Sequence, residues 1–174
     1  MTELETVACE AIKNTGVKRS SIALDFGCGR GTYTLPAARL VGNEGRVYAV
    51  DMNQDILDKL TSKAQAESLD NIIPLNTGGE TKINIADGSV DTVLLFDILN
   101  EYYFPDIKSR RTLLDECRRI LKPGGFLSVY PKHVESTARS EIEDANFRLE
   151  SEFNGTLIHL DTILEKGQIL NFRK

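Results

Sequence analysis

The stretch Leu24-Asp25-Phe26-Gly27-Cys28-Gly29-Arg30-Gly31-Thr32 has the residue types and spacing of a ligand-binding loop. It leads from a short apolar run that reads as a buried strand into a segment that reads as a helix. Glycines there let the main chain turn tightly and let a ligand approach the backbone with no Cβ in the way. The helix start beyond them offers free N–H groups and a partial positive charge, on which a carboxylate or phosphate can sit. Asp51 follows about twenty residues later, where a carboxylate can accept both hydroxyls of a ribose. Leu121-Lys122-Pro123-Gly124-Gly125 forms a turn ahead of a further apolar segment.

The surrounding pattern supplies the elements that must hold these groups. Leu4, Val7, Ala8, Ala11 and Ile12 recur at helical spacing over residues 3–14. Strands are expected at 21–26, 46–50, 72–75, 90–96 and 126–130, with helices at 32–41, 54–68, 107–121 and 135–145 between them. Asn53 caps the second of these helices, and Pro74 marks the third strand as irregular or near an edge. Residues 147–153 and 168–172 alternate apolar and polar positions and read as an antiparallel closing hairpin, with 157–164 either extending its first strand or bulging. Strand–helix alternation ending in a hairpin predicts an α/β, Rossmann-like, doubly wound sheet of seven strands, mostly parallel. One domain is expected over 1–174: a lead-in helix at 1–19, a cofactor-binding core at 20–131, and a last helix with the hairpin at 132–174.

In this order and spacing, the glycine loop, the acid after the second strand and the Lys-Pro-Gly-Gly turn resemble class I S-adenosylmethionine-dependent methyltransferases. The likeness is to the small archaeal and bacterial proteins of the ubiquinone-methylase-like group, and it covers about residues 20–130. It implies S-adenosylmethionine as cofactor and methyl transfer as activity. It further implies that Asp25, Gly27, Gly29 and Gly31 form the loop against the methionine half of the cofactor, with Thr32 beside them at the helix start. Asp51 would take the ribose diol, Met52 would pack on the adenine, and Asp97 would face the methionine amino group or the transferred methyl. One departure stands out: relatives often carry Gly-Asp-Ala after the third strand, and here Thr77-Gly78-Gly79-Glu80 stands in its place, so Glu80 or main-chain groups must serve the adenine amino group.

The acceptor side should be lined by the segment after the fourth strand, and Asn100 and Glu101 are the candidates there to orient or deprotonate an acceptor. Tyr102 and Tyr103 are read as packing or as an aromatic wall, His133 as a residue that could reach the pocket mouth, and His159 as a surface or hairpin residue. No metal site is expected. Cys9 and Cys117 read as buried fillers, and Cys28 lies beside a helix start where a thiol pKa could fall. The acceptor itself, small molecule or macromolecule, is not readable. The absence of a long insertion after the fourth or fifth strand leaves the N-terminal helix to cover the site, or leaves the pocket open. An open pocket suits a macromolecular acceptor or completion by a second copy of the chain in a homodimer. A net charge of -5 argues against a surface for duplex nucleic acid. The lack of a signal-like start and of a long apolar run predicts a cytoplasmic protein without membrane spans.

Two other functions compete. A nicotinamide-dependent oxidoreductase needs a third glycine in Gly-x-Gly-x-x-Gly, and Thr32 or Thr34 occupies that position. A non-catalytic module that binds the cofactor or serves as a partner subunit would keep the loop and Asp51 without turnover.

Overall fold

The computed structural model describes residues 1–174. Its elements run α1 (Glu3–Lys13), β1 (Ile22–Phe26), α2 (Thr34–Val41), β2 (Arg46–Asp51), α3 (Gln54–Ala66), β3 (Ile72–Asn76), β4 (Val90–Phe96), α4 (Ile107–Ile120), β5 (Leu121–Tyr130), α5 (Ala138–Asp144), β6 (Arg148–His159) and β7 (Ile163–Arg173). The strands form one seven-stranded sheet in the order β3-β2-β1-β4-β5-β7-β6. β1 to β5 pair in parallel, and β7 runs antiparallel to both β5 and β6. The order reverses between β1 and β4, and in such sheets that switch point opens a crevice at the carboxyl ends of the strands.

Alternate residues of the central strands face opposite helical layers. Ala23, Val47, Leu94 and Phe96 pack with α1 and α2, whereas Leu24, Val50, Val93 and Leu95 join the core formed with α4 and α5. Both faces are therefore covered, which is why β4 is apolar along most of its length. α3 closes the end of the first layer, with Leu57, Leu60 and Ala64 buried beside Ala49 and Leu35. No helix is long and apolar enough to cross a membrane.

Local chemistry explains the boundaries. The Asn53 side chain accepts from the N–H groups of Asp55 and Ile56, capping α3. Thr2 with Glu5 and Asp106 with Ser109 form reciprocal caps on α1 and α4. Pro74 sits in β3, the outermost strand, where a missing N–H costs no central ladder bond.

Two elements differ from the expectation, and a third takes one of its two alternatives. The Lys122–Gly125 segment is absorbed into β5 as an irregularity: Leu121 pairs with Val90, and Phe126 already pairs with Thr92. α5 is only 7 residues long, starting at Ala138 rather than near 135. The hairpin strands are 12 and 11 residues long, so the intervening segment extends them instead of bulging. β7 runs antiparallel, and its ladder to β5 reaches only from Arg173 to Leu170. Residues 163–169 therefore overhang the carboxyl edge of the sheet by roughly 20 Å, at about 3.3 Å per residue. Gly155 and Gly167 face each other across the hairpin, and a Cβ on Gly167 would lie 2.8 Å from Leu157 and 3.0 Å from Tyr130. The missing side chains let the overhang curl inward, with Leu157 and Ile158 in the core against α1 and α2.

Candidate functional site

The crevice at the switch point has two adjoining lobes, of about 470 Å³ and 150 Å³. Gly27, Gly29, Ile98, Tyr103 and Asp161 border both. The larger lobe adds Asp51, Met52, Thr77, Gly79 and Glu80, and the smaller adds Asp25, Thr32 and Asp97.

The glycine loop is shaped by its own hydrogen bonds. Gly27 and Cys28 both donate their N–H to the Val50 carbonyl, at 2.8 and 2.9 Å, which folds the end of β1 over the end of β2. Gly27 has φ +76, and a Cβ there would lie 2.2 Å from Ile98 Cδ1. Gly29 has φ +50 and open space where a Cβ would stand, so its main chain faces the crevice directly. Gly31 differs from the expectation: it borders neither lobe, and a Cβ on it would lie 2.3 Å from Leu60 Cδ1. Its role is close packing of the loop against α3.

Asp51 ends β2 at the floor of the larger lobe. Its Oδ2 accepts from the Gly29 N–H at 3.1 Å and its Oδ1 from the Asn53 N–H at 3.0 Å. A carboxylate offers about four lone-pair sites, so two remain for a ligand in the larger lobe. Asp25 is 3% exposed, and its Oδ2 accepts from the Thr34 hydroxyl at 2.6 Å. Burial raises its pKa from 3.8 to about 6; the Thr34 bond opposes the rise, and the charges of Asp51 and Asp161 add to it.

The lining carries five carboxylates, Asp25, Asp51, Glu80, Asp97 and Asp161, and neither lysine nor arginine. Asp161 was not expected. It sits at the hairpin tip, accepts from the Thr32 hydroxyl at 2.5 Å, and pairs at 3.8 Å with the outward-facing Arg30. The tip, rather than the N-terminal helix, overhangs the smaller lobe, and Tyr33 fastens it: its hydroxyl donates to the Ile158 carbonyl at 3.1 Å and accepts from the Ile158 N–H at 2.8 Å. The alternation at 147–153 and 168–172 was the available signal; what it could not give was the direction of curl.

Asp97 leaves β4 with φ +56, a left-handed backbone uncommon outside glycine. Burial pushes its carboxyl pKa up, and the neighbouring His159 opposes the shift. Asn100 and Glu101 do not take the acceptor-side places expected of them. The Asn100 amide is spent within the loop, donating to the Asp97 carbonyl at 2.9 Å and accepting from the N–H groups of Tyr102 and Tyr103 at 3.0 and 3.2 Å. Glu101 is exposed and borders neither lobe. Tyr103 does border both, while Tyr102 stacks edge-on against it and is 86% exposed. His159 is a hairpin residue, the last of β6, and its Nδ1 lies 2.6 Å from Asp97 Oδ2. The Cys28 thiol pKa is raised rather than lowered, because burial and the Asp25 and Asp51 charges outweigh the nearby helix start.

Residues 23–125 match the family described as Methyltransferase domain. A demethylmenaquinone methyltransferase from Lactobacillus johnsonii is 34% identical over 118 residues, which is 67% of this chain and 46% of that protein. A 2-phytyl-1,4-naphtoquinone methyltransferase from Trichormus variabilis is 30% identical over 123 residues, 71% of this chain and 52% of that protein. The chain thus spans about half the length of these relatives. Among solved structures, a SAM-dependent methyltransferase from Aquifex aeolicus superposes with a TM-score of 0.73 at 23% identity, covering 98% of this chain and 89% of that one, which shows the shared fold. With the family match covering the glycine loop, Asp51 and Asp97, the chain belongs to the methyltransferase-domain family.

Proposed function

We propose that the chain is a methyltransferase that uses S-adenosylmethionine. The observation that carries this reading is the charge of the crevice. Five carboxylates and no cationic side chain line a pocket built on a glycine loop and a diol-accepting aspartate. A ligand with a sulfonium and an ammonium complements that wall, whereas the pyrophosphate of a nicotinamide cofactor would be repelled by it. Glycine at 29 leaves room for close approach to the main chain, and the free lone pairs of Asp51 suit a ribose. Met52 and Glu80 border the larger lobe, in place to serve the base.

When bound, S-adenosylmethionine supplies a methyl already activated by its sulfonium. The chain's own residues then have mainly positioning to do, which converts an encounter into an intramolecular step. Asp25, Asp97 and Asp161 hold the positive end in the smaller lobe, and Thr32 fixes Asp161. Tyr103, Leu160 and Met52, all exposed and apolar over much of their surface, rim the opening through which an acceptor enters. The acceptor in this reading is an aromatic ring of the quinone class; the names of the two relatives and the apolar rim support it. The reading includes cytoplasmic residence, supported by three unpaired cysteines. It also includes a second copy of the chain as the partner that completes the open acceptor side.

Transfer of labelled methyl from S-adenosylmethionine to a reduced demethylmenaquinone, assayed beside a whole-cell extract as acceptor source, tests this. Labelled quinone supports the whole reading. Label on an extract component alone keeps the activity and replaces the acceptor. Cofactor binding with no transfer to either makes the chain a non-catalytic module.

A further inference from the structure

The fold gathers a group of side chains of which the methyl-transfer reading uses only Asp97. Asp97 at the end of β4, His133 in the segment after β5 and His159 at the end of β6 come from three separate elements, and their ligand-capable atoms all lie within 4.8 Å of one another. We infer that these three residues form a binding site for a divalent transition-metal ion of the zinc, iron or cobalt type, with open coordination positions beside the smaller lobe.

The donor set fits such an ion. Two imidazoles and one carboxylate are the borderline ligands that first-row divalent metals take, and three protein ligands leave positions for an exogenous oxygen or sulfur donor. The single carboxylate beside two imidazoles gives a site of modest negative charge, which a dication completes. Of the three residues, Asp97 borders the smaller lobe.

Two members of the cluster are in direct contact. His159 Nδ1 lies 2.6 Å from Asp97 Oδ2, yet Nδ1 is buried and has no directed hydrogen bond. A buried imidazole nitrogen left in this state is costly, and a shared cation satisfies it. The rings of His133 and His159 stand 5.4 Å apart at 70°, edge to face. Asp97 and His133 also hold φ values of +56 and +72, left-handed conformations that cost energy in residues with a Cβ. The other charged groups near the cluster are mutually engaged: Glu165 of β7 accepts from the Tyr130 hydroxyl and pairs with Lys132 at 2.8 Å.

The test uses the full chain, freed of metal with a chelator and then titrated with Zn2+ by calorimetry and with Co2+ by visible absorption. One equivalent should bind, with cobalt bands of a nitrogen–oxygen ligand set. His133→Ala and His159→Ala should each weaken binding at least about 100-fold, since loss even of outer-shell partners costs 10–100-fold. His133 is exposed, so its variant should keep the fold, checked by circular dichroism. Failure of the folded chain to bind Zn2+ or Co2+ overturns the site. So does unchanged affinity in the His133→Ala protein, or an intense thiolate-to-cobalt band that places the ion on a cysteine. Cofactor titration on the metal-free chain reads the methyltransferase proposal separately, so either can fail without the other.

Discussion

Asp25 gives a prediction in which stability and ligand affinity move in opposite directions. The carboxyl is 3% exposed and has its pKa raised from 3.8 to about 6. The folded protein thus holds this proton more tightly than the unfolded chain does. The stability it contributes is fully present below about pH 4, where both forms are protonated, and is lost as the pH rises through about 6. A shift of about two units at 1.36 kcal/mol each means that ionised Asp25 costs the fold about 3 kcal/mol above that range. Asp25→Asn removes the charge and keeps an oxygen to accept from the Thr34 hydroxyl. In urea denaturation the variant should match the wild type near pH 4 and exceed it by up to about 3 kcal/mol at about pH 8. The same change removes one of the carboxylates facing the cationic end of S-adenosylmethionine, so affinity at about pH 8 should fall roughly tenfold. A variant that is less stable at both pH values, or whose gain does not depend on pH, would refute the reasoning.

Other consequences are local. Gly27→Ala places a Cβ 2.2 Å from Ile98 Cδ1 at φ +76; about 1–2 kcal/mol should be lost in thermal unfolding, with weaker cofactor binding because Ile98 borders both lobes. Tyr33→Phe leaves the buried N–H and carbonyl of Ile158 without their partner, at about 1–3 kcal/mol, and hydrogen exchange at the Ile158 amide should accelerate as the hairpin tip loosens. Arg110 donates to Glu141 at 2.7 and 3.0 Å and to the Phe104 carbonyl at 2.9 Å, with both side chains at or below 10% exposure. Arg110→Ala should therefore cost about 3–5 kcal/mol by denaturant unfolding, more than the replacement of both partners by apolar residues.

The parallel half of the fold is legible in the sequence because its signals are local. A glycine loop after an apolar run, Asn53 before a helix and Pro74 in an edge strand each act over a few residues. Of the site residues that the family resemblance implies, Asp25, Gly27, Gly29, Thr32, Asp51, Met52, Glu80 and Asp97 border the crevice. The remainder depends on tertiary contacts. Whether Asn100 faces a ligand or its own loop is decided by competition with two backbone N–H groups. Gly31 serves packing because α3 places Leu60 beside it. His159 and Asp161 reach the site only because antiparallel β7 overhangs the sheet edge and curls at Gly155 and Gly167. Cys28 shows the same limit in electrostatics: a helix start favours the thiolate, but burial among carboxylates outweighs it.

The most direct measurement is calorimetric titration of the purified chain with S-adenosylmethionine, with NADH as comparison. The account predicts micromolar binding of the first, none of the second, and a loss of about 100-fold in Asp51→Ala. That figure corresponds to two hydrogen bonds to a charged acceptor at about 1.5 kcal/mol each. Absence of S-adenosylmethionine binding, preference for NADH, or undiminished affinity in Asp51→Ala would contradict it.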